Sequence, residues 1–291
     1  MIELDGASVA VPGAGHDAGG NTTILEPTTL HLGEQRISII GANGSGKSTL
    51  ARLLNGLVLP SSGAVRVLAH SGDEDRPGFE DRPGRATTER TAPTSTTPAT
   101  WLDTAKHGPA VRRAVGFVFT DPSAQLVMPT VLEDVALSLR HTHKRKQLRQ
   151  EAALEVLERF GLAPLAERSV HTLSGGQKQM LAIAAVLATD PAILVADEPT
   201  TLLDLRNSRR IGDLLMSVPQ QVVVVTHDLD LAARADRTLV VDRARVVFDG
   251  DPADAIEHYR GLAARTGAAE GTQAADGTGA TETSREPEAD A

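Results

Sequence analysis

Runs of apolar residues and stretches with helical spacing alternate along this chain, and their order predicts an α/β fold. Three β-branched runs, at 36–40 (RISII), 192–197 (AILVAD) and 221–227 (QVVVVTH), are continuous rather than alternating with polar residues. Strands of this kind are typical of parallel sheets that are buried on both faces. Residues 207–218 (NSRRIGDLLMSV) have helical spacing and separate the last two runs, which predicts a β-α-β unit.

Three other segments predict helices. In residues 48–57 (STLARLLNGL) the leucines fall on one helical face. Thr130 followed by Glu133 has the pattern of a capping box, which predicts a helix that continues to about Arg140. Residues 148–161 (LRQEAALEVLERFG) have helical spacing and end on a glycine, the residue most common just after the last helical turn.

Composition sets two segments apart from this pattern. Residues 70–100 are rich in Pro, Thr, Gly and charge and contain an imperfect repeat, EDRPGFEDRPG, while the tail at 262–291 is acidic and of low complexity. Neither segment can bury enough apolar surface to offset the conformational entropy that it would lose on folding, so we expect both to be disordered. The rest, residues 1–261, is expected to form one domain with antiparallel strands at its N-terminus and a late hairpin at 238–250.

Charge and composition exclude several classes of function. The net charge of −9 argues against an obligate nucleic-acid partner, because phosphate binding depends on basic surface. The absence of cysteine excludes disulfides, thiolate metal sites and thiol nucleophiles. No apolar run approaches the ~18 residues of a membrane span, and MIELDGASVA has no signal-peptide pattern. We therefore expect a soluble cytoplasmic protein that meets a membrane only through partners.

A phosphate-binding loop is predicted at residues 41–49 (GANGSGKST), which match G-x-x-x-x-G-K-[ST] between a strand and a helix. Its glycines let consecutive backbone N–H groups point at one anion, and the following helix adds the positive end of its dipole. Lys47 can reach the β- and γ-phosphates, and the Ser48 hydroxyl can ligate Mg²⁺. The nucleotide-binding residues expected here are Gly41, Ala42, Asn43, Gly44, Ser45, Gly46, Lys47, Ser48 and Thr49.

Two carboxylates close the strand predicted at 192–197. Asp197 ends the strand, so its carboxylate is expected beside the loop, where it can hold Mg²⁺ together with Ser48. Glu198 follows it and can orient or deprotonate the attacking water. Phosphoryl transfer needs little more than metal, positioned water and charge stabilisation, so these residues predict nucleotide hydrolysis.

Three further motifs follow in order: LSGGQKQ at 173–179, TLLD at 201–204 and VVVVTHD at 222–228. Together with the loop and the Asp-Glu pair, they resemble the nucleotide-binding domain of ATP-binding-cassette (ABC) proteins over about residues 1–260. The resemblance implies a P-loop NTPase fold with a mixed core sheet and an N-terminal antiparallel β subdomain. It also implies a helical subdomain, about 130–190, that carries the LSGGQ segment.

The resemblance further implies a head-to-tail dimer. In this arrangement the LSGGQ segment of one subunit closes on ATP that the partner's phosphate loop holds. The helix after this segment offers N–H groups to an anion, through residues Ser174, Gly175, Gly176 and Gln177. By the same resemblance His227 contacts the γ-phosphate and joins Lys47 and Glu198 as catalytic residues, while Asp204 crosses the dimer seam.

Within the ABC group, residues 116–137 (GFVFTDPSAQLVMPTVLEDVAL) and 226–232 (THDLDLA) resemble the ATPases of energy-coupling-factor (ECF) transporters. Residues 102–119 also resemble the biotin-type members. The resemblance implies import of a vitamin or a transition-metal ion, driven by ATP with Mg²⁺. It implies a place on the cytoplasmic face of the membrane, beneath a scaffold protein and a separate substrate-binding membrane protein.

This chain departs from the family pattern at three positions. Thr120 stands where these ATPases usually have a glutamine, and we expect it to act through a bridging water. Val11 stands where many members stack an aromatic ring on adenine. Leu202 precedes Asp204 where smaller residues are commoner.

Other functions fit some of these residues. An ATP-binding regulatory subunit that does not hydrolyse fits Thr120, and a non-transport ABC machine acting on DNA or ribosomes shares the motifs. The second usually has two cassettes, coiled-coil insertions or basic surface, none of which is seen here. An exporter has the same ATPase motifs as an importer, and a homodimer has the same motifs as a pair with a sibling subunit.

Overall fold

A computed structural model describes residues 1–12, 20–70 and 99–276. Most of the insertion that we expected to be disordered, 71–98, and the end of the tail, 277–291, lie outside the described residues. In chain order the elements are β1 (Ile2–Pro12), β2 (Asn21–Leu32), β3 (Arg36–Ile40), α1 (Lys47–Leu54), β4 (Ser62–His70), β5 (Ala99–Asp103), α2 (Gly108–Ala114), β6 (Val115–Val118), α3 (Val131–Ser138), α4 (Lys146–Arg159), α5 (Gly175–Leu187), β7 (Ile193–Asp197), α6 (Leu205–Ser217), β8 (Gln221–Val225), α7 (Leu229–Ala232), β9 (Arg237–Asp242), β10 (Arg245–Gly250) and α8 (Pro252–Asp276).

Two sheets organise the described residues. A six-stranded sheet has the order β10-β9-β3-β8-β7-β6 and is parallel except for β10, which pairs antiparallel with β9. A four-stranded antiparallel sheet has the order β2-β1-β4-β5. The mixed core sheet, the N-terminal antiparallel strands and the late hairpin that the sequence predicts are therefore confirmed.

The core sheet is buried on both faces, which explains why its strands are continuous apolar runs. On β8, Val222 and Val224 pack with α5 and α6, while Val223 and Val225 pack with α1 and the antiparallel sheet. All four valines are fully buried. Since the carboxyl ends of parallel strands share one edge, the loops after β3, β7 and β8 meet there.

Helices α3, α4 and α5, between residues 131 and 187, pack on one side of the core sheet. The Thr130 side chain accepts a hydrogen bond from the Glu133 amide and caps α3, as its sequence pattern predicts. The helix predicted at 148–161 is α4, and Gly161 after it has a φ of +70°. None of the described helices is long and apolar enough to cross a bilayer.

Two predicted boundaries were wrong. Helix α1 ends at Leu54, so Leu57 lies beyond it and its side chain is exposed. Helix α8 continues to Asp276, where we expected disorder from residue 262. Alanine is common in this stretch, and its high helix propensity outweighs the low complexity that suggested disorder.

Candidate functional site

The glycine loop at residues 41–46 joins β3 to α1 at the carboxyl edge of the core sheet. Gly41 and Gly46 have φ values of +151° and +108°, in the region that favours glycine. A Cβ at Gly41 would collide with the Val241 carbonyl, and one at Gly46 would lie 2.8 Å from the Ile24 carbonyl oxygen. The loop can therefore take this path only with glycine at these two positions.

Lys47 is buried inside this loop. Its Nζ donates hydrogen bonds of 2.8 Å to the carbonyl oxygens of Gly41 and Ala42. Burial lowers the pKa of Lys47, whereas the nearby carboxylates of Glu198 and Asp197 act in the opposite direction. The ammonium is thus held close to both the loop and the acidic pair.

Ser48 and Asp197 bring the start of α1 and the end of β7 together. The Ser48 hydroxyl donates to Asp197 Oδ1 at 2.9 Å, and Asp197 is only 1% exposed. On the other side, Arg52 lies 3.6 Å from Asp197 Oδ2. Burial raises the pKa of Asp197, although the Ser48 hydrogen bond and Arg52 partly counter this effect.

Glu198 is held in an unusual conformation directly after this strand. Its φ is +51°, which is uncommon for a residue with a side chain. Its Oε2 lies 2.7 Å from Nδ1 of His227 and accepts a 2.9 Å hydrogen bond from the Thr201 hydroxyl. The His227 side chain is more than half exposed, so the pair lies at the mouth of the site.

Thr120 reaches this centre from the neighbouring strand. Its hydroxyl donates to the backbone carbonyl oxygen of Asp197 at 3.0 Å. This contact is one that the sequence did not predict, and the expected bridging water between Thr120 and the nucleotide site stays a prediction.

The segment 173–179, which we call the signature segment, begins α5. Ser174 and Gln177 form a reciprocal capping box, in which the Ser174 side chain accepts from the Gln177 amide. Ser174 and Gly175 are exposed, and a Cβ at Gly176 would lie 2.6 Å from the Asn207 side chain. Among the described residues, no hydrogen bond joins this segment to the glycine loop.

Asp204 and Val11 also lie apart from the acidic pair. Asp204 caps α6, where its Oδ1 accepts from the Asn207 amide at 2.9 Å. Hydrogen bonds to its carboxylate, first of all from that amide, lower the pKa of Asp204. Val11 lies near the end of β1 with 42% of its surface exposed, and Leu202, before Asp204, is 64% exposed.

The structure thus brings Lys47, Ser48, Asp197, Glu198, His227 and Thr120 into one centre, and leaves the signature segment, Asp204 and Val11 outside it. Sequence reasoning missed two residues of this centre, Arg52 and Thr201. Arg52 follows Ser48 by one helical turn and Thr201 follows Glu198 by three residues. Within α1 the spacing of Ser48 and Arg52 places both side chains on one helical face, a signal that could have revealed Arg52. Thr201 follows Glu198 in a turn, where no such periodic signal exists.

The residues present fit a nucleotide phosphate with Mg²⁺. The Ser45 hydroxyl is buried in the loop and has no partner among the described residues, so it is available to a phosphate oxygen. Among the described residues, no group of three or more His, Asp or Glu could hold a metal alone. One hydroxyl and one carboxylate, from Ser48 and Asp197, suit Mg²⁺, which usually completes its shell with water and substrate phosphates.

Residues 27–201 match the family model described as ABC transporter. The biotin transport ATP-binding protein BioM of Rhizobium etli is 38% identical over 245 residues, which cover 84% of this chain and 95% of that protein. The nickel import ATP-binding protein NikO of Rhodobacter capsulatus is 36% identical over 78% of this chain and 82% of that protein. The energy-coupling factor transporter ATP-binding protein EcfA2 of Methanospirillum hungatei is 33% identical over 76% of this chain and 49% of that protein.

Solved structures of ABC proteins are also similar to this chain. The dimeric, post-hydrolysis state of the ATP-binding cassette MJ0796, bound to ADP and Pi, superposes with a TM-score of 0.66 at 27% identity. It covers 87% of this chain and 99% of that one. The cbiO1 protein from Clostridium perfringens, part of the ABC transporter complex cbiONQ, superposes with a TM-score of 0.64 at 26% identity. It covers 88% of this chain and 90% of that one.

Proposed function

This chain belongs to the ABC transporter family and is an ATP-binding ATPase of that family, and from this premise we propose that it powers a membrane importer of the ECF type. The observation that carries hydrolysis is the single centre formed by the glycine loop, the Asp197–Glu198 pair and His227. The ECF type is supported by the relatives named for biotin transport, nickel import and energy coupling. Such a centre supplies charge clamps and a base, which are what hydrolysis requires.

In this proposal each residue of the centre has one task. Lys47 and the loop N–H groups bind the phosphates, while Glu198 takes a proton from the attacking water and His227 supports the γ-phosphate. The Glu198–His227 hydrogen bond of 2.7 Å keeps the carboxylate at the mouth of the site, where water can reach it. Ser48 and Asp197 would hold Mg²⁺, which supplies charge neutralisation when bound.

The signature segment supports a second task, performed on a partner subunit. Its exposed start at Ser174 and Gly175 leaves helix N–H groups open to an anion, yet it makes no hydrogen bond to the glycine loop of its own chain. We infer that it binds the nucleotide of a second subunit, with Asp204 at the seam. The similar solved cassette that is dimeric and bound to ADP and Pi supports a dimer. Val11 would cover the adenine without stacking on it.

Biotin is the substrate we favour, because the relative named for biotin transport is 38% identical and is matched over 95% of its length. A transition-metal ion is the other candidate, since the nickel import relative is 36% identical. In either case, we propose a place on the cytoplasmic face of the membrane, beneath a scaffold protein and a separate substrate-binding membrane protein. Uptake of labelled biotin or nickel by cells that carry this chain and its co-purifying membrane partners distinguishes the two substrates.

Glu198→Gln tests the assignment of the base. The amide keeps the shape of the side chain but cannot accept a proton, so turnover should fall by at least about a hundredfold while ATP affinity stays within a few fold. Steady-state ATPase assays and equilibrium ATP binding measure the two effects. Glu155→Gln is the matched control, because Glu155 is an exposed residue of α4 away from the site. Full turnover in Glu198→Gln would refute the proposed role.

A further inference from the structure

The peptide group between Asp197 and Glu198 is held from both sides. On one side, the Thr120 hydroxyl donates to the Asp197 carbonyl oxygen at 3.0 Å. On the other side, the Glu198 amide donates to the Val225 carbonyl oxygen at 2.9 Å. Because β7 lies between β6 and β8, the two anchors come from the two neighbouring strand ends and oppose rotation of this peptide.

Rotation of this peptide matters because Glu198 has a φ of +51°. A residue with a Cβ keeps such a φ only when its surroundings hold it there. The same φ sets the direction in which the carboxylate leaves the backbone, toward His227 and Thr201. If one anchor is lost, the peptide can turn toward a more common φ and move the carboxylate away from its place.

The backbone just before Thr120 is held by the side chain of Gln125. The Gln125 Oε1 accepts a hydrogen bond from the Phe119 amide, and its Nε2 donates one to the Phe117 carbonyl oxygen, both at 3.3 Å. A β-branched side chain also has few rotamers, so the Thr120 hydroxyl loses little freedom in this contact. The short side chain is thus suited to a backbone carbonyl on the adjacent strand end.

We propose that Thr120 is a positioning residue for hydrolysis, whose hydroxyl holds the Asp197–Glu198 peptide so that the Glu198 carboxylate points at the attacking water. The proposal rests on the proposed role of Glu198 as the base. It gives Thr120 a task that differs from contact with the metal shell, because its hydroxyl proton is already used on the Asp197 carbonyl. The hydroxyl oxygen can still accept a hydrogen bond.

The test compares Thr120→Val, which keeps the shape and removes the hydroxyl, with Thr120→Ser, which keeps the hydroxyl. In the full chain, Thr120→Val should lower kcat about tenfold, in line with the loss of one hydrogen bond, and leave KM for MgATP within about twofold. Thr120→Ser should recover kcat to within about threefold of the wild type. The control is Thr189→Val, because the Thr189 hydroxyl also donates to a backbone carbonyl, that of Val186 at 2.8 Å. Thr189 comes before the start of β7, whereas the centre lies at the end of that strand.

A second readout asks whether Thr120 acts through Glu198. In single-turnover assays, Thr120→Val should cost about tenfold in the wild type but less than about twofold when Glu198 is already glutamine, because residues that act as a unit are not additive. Unchanged kcat in Thr120→Val, an equal loss in both backgrounds, or a rise of KM without a fall of kcat would each overturn the proposal. If the wild type itself does not hydrolyse ATP, the proposed function fails instead.

Discussion

At the scale of single residues, Asp134 shows how a buried carboxylate can organise a loop. It is 4% exposed, and its Oδ1 accepts hydrogen bonds from the amides of Val127 and Met128 at 2.9 and 3.0 Å. Burial raises the pKa of Asp134, although these two hydrogen bonds act against the shift. The ionised carboxylate is thus less favourable in the folded protein than in the unfolded chain at neutral pH.

Asp134→Asn should therefore be tolerated. The amide oxygen can accept the same two hydrogen bonds without a buried charge, so the melting temperature at pH 7.5 should equal or exceed that of the wild type. The advantage should shrink as the pH falls through the raised folded pKa of Asp134 and vanish below the ordinary pKa of aspartate, where the carboxyl is neutral in both states. Asp134→Ala is the comparison, because it leaves two amides unpaired and should lower the free energy of unfolding by roughly 1–3 kcal/mol. Thermal melts at pH 7.5 and at a pH below the ordinary pKa of aspartate measure these effects. An Asn variant that melts below the wild type at pH 7.5 would contradict the prediction.

The sequence was sufficient to predict most residues of the centre because each follows a buried strand or opens a helix. The motif patterns placed Lys47, Ser48, Asp197 and Glu198, and the parallel sheet then brings their loops to one edge. Two features could not be read from any local pattern. The contact of Thr120 with the Asp197 carbonyl crosses between strands, and the positive φ of Glu198 depends on both neighbouring strands.

At the scale of elements, Arg237 ties the start of β9 to its neighbours. It makes a bidentate pair with Asp249 on β10 at 2.6 and 2.7 Å, and its third nitrogen donates to Glu34 and to the His31 carbonyl. Its side chain is only 19% exposed. The late hairpin is therefore joined to the turn between β2 and β3 by one guanidinium.

Arg237→Lys should weaken this junction. Lysine keeps the charge but lacks the planar fork, so it cannot satisfy all three partners, and the free energy of unfolding should fall by roughly 1–3 kcal/mol. Arg245→Lys is the matched control, because its pair with Glu26 is 3.7 Å long and solvent-exposed and should contribute less than about 0.5 kcal/mol. Denaturant unfolding of both variants gives the comparison, and equal losses would contradict the prediction.

The same junction has an expected pH dependence. Burial alone would raise the pKa of Glu34, but hydrogen bonds to its carboxylate from its own amide, from Arg237 and from the Gly33 amide lower it overall. A lowered carboxyl pKa stabilises the fold above the unfolded value and loses this effect as the pH falls through the folded value. The difference in free energy of unfolding between the wild type and Arg237→Lys should thus shrink only below the ordinary pKa of glutamate. Denaturant unfolding at a series of pH values measures it.

Elements were predicted best where one local signal decided their structure. The strands β3, β7 and β8 are continuous apolar runs, and α3 and α4 carry clear end signals at Thr130 and Gly161. The prediction of disorder from residue 262 was wrong as far as Asp276, where α8 ends. An alanine-rich sequence can be of low complexity and still form a helix. The predicted disorder in 71–98 and 277–291 stays a prediction, since these residues lie outside the described ranges.

At the scale of the whole molecule, the two features proposed to bind phosphate belong to different parts of the chain. The glycine loop lies at the edge of the core sheet, whereas the signature segment starts a helix whose exposed end contacts the segment at 202–207. Leu202 and Leu205 in that segment are 64% and 68% exposed. Large exposed apolar side chains near the proposed dimer seam fit burial against a second subunit. The sequence pattern of one chain does not specify which residues such an interface buries.

Light scattering of the Glu198→Gln variant, with and without saturating MgATP, tests this account most directly. The variant should hold ATP without turning it over, so two copies should stay closed around the bound nucleotides and the mass should double only when MgATP is present. Adding Ser174→Arg to this variant should restore the monomer mass, because the side chain would block the exposed start of α5. An unchanged monomer mass of Glu198→Gln at saturating MgATP would contradict the account.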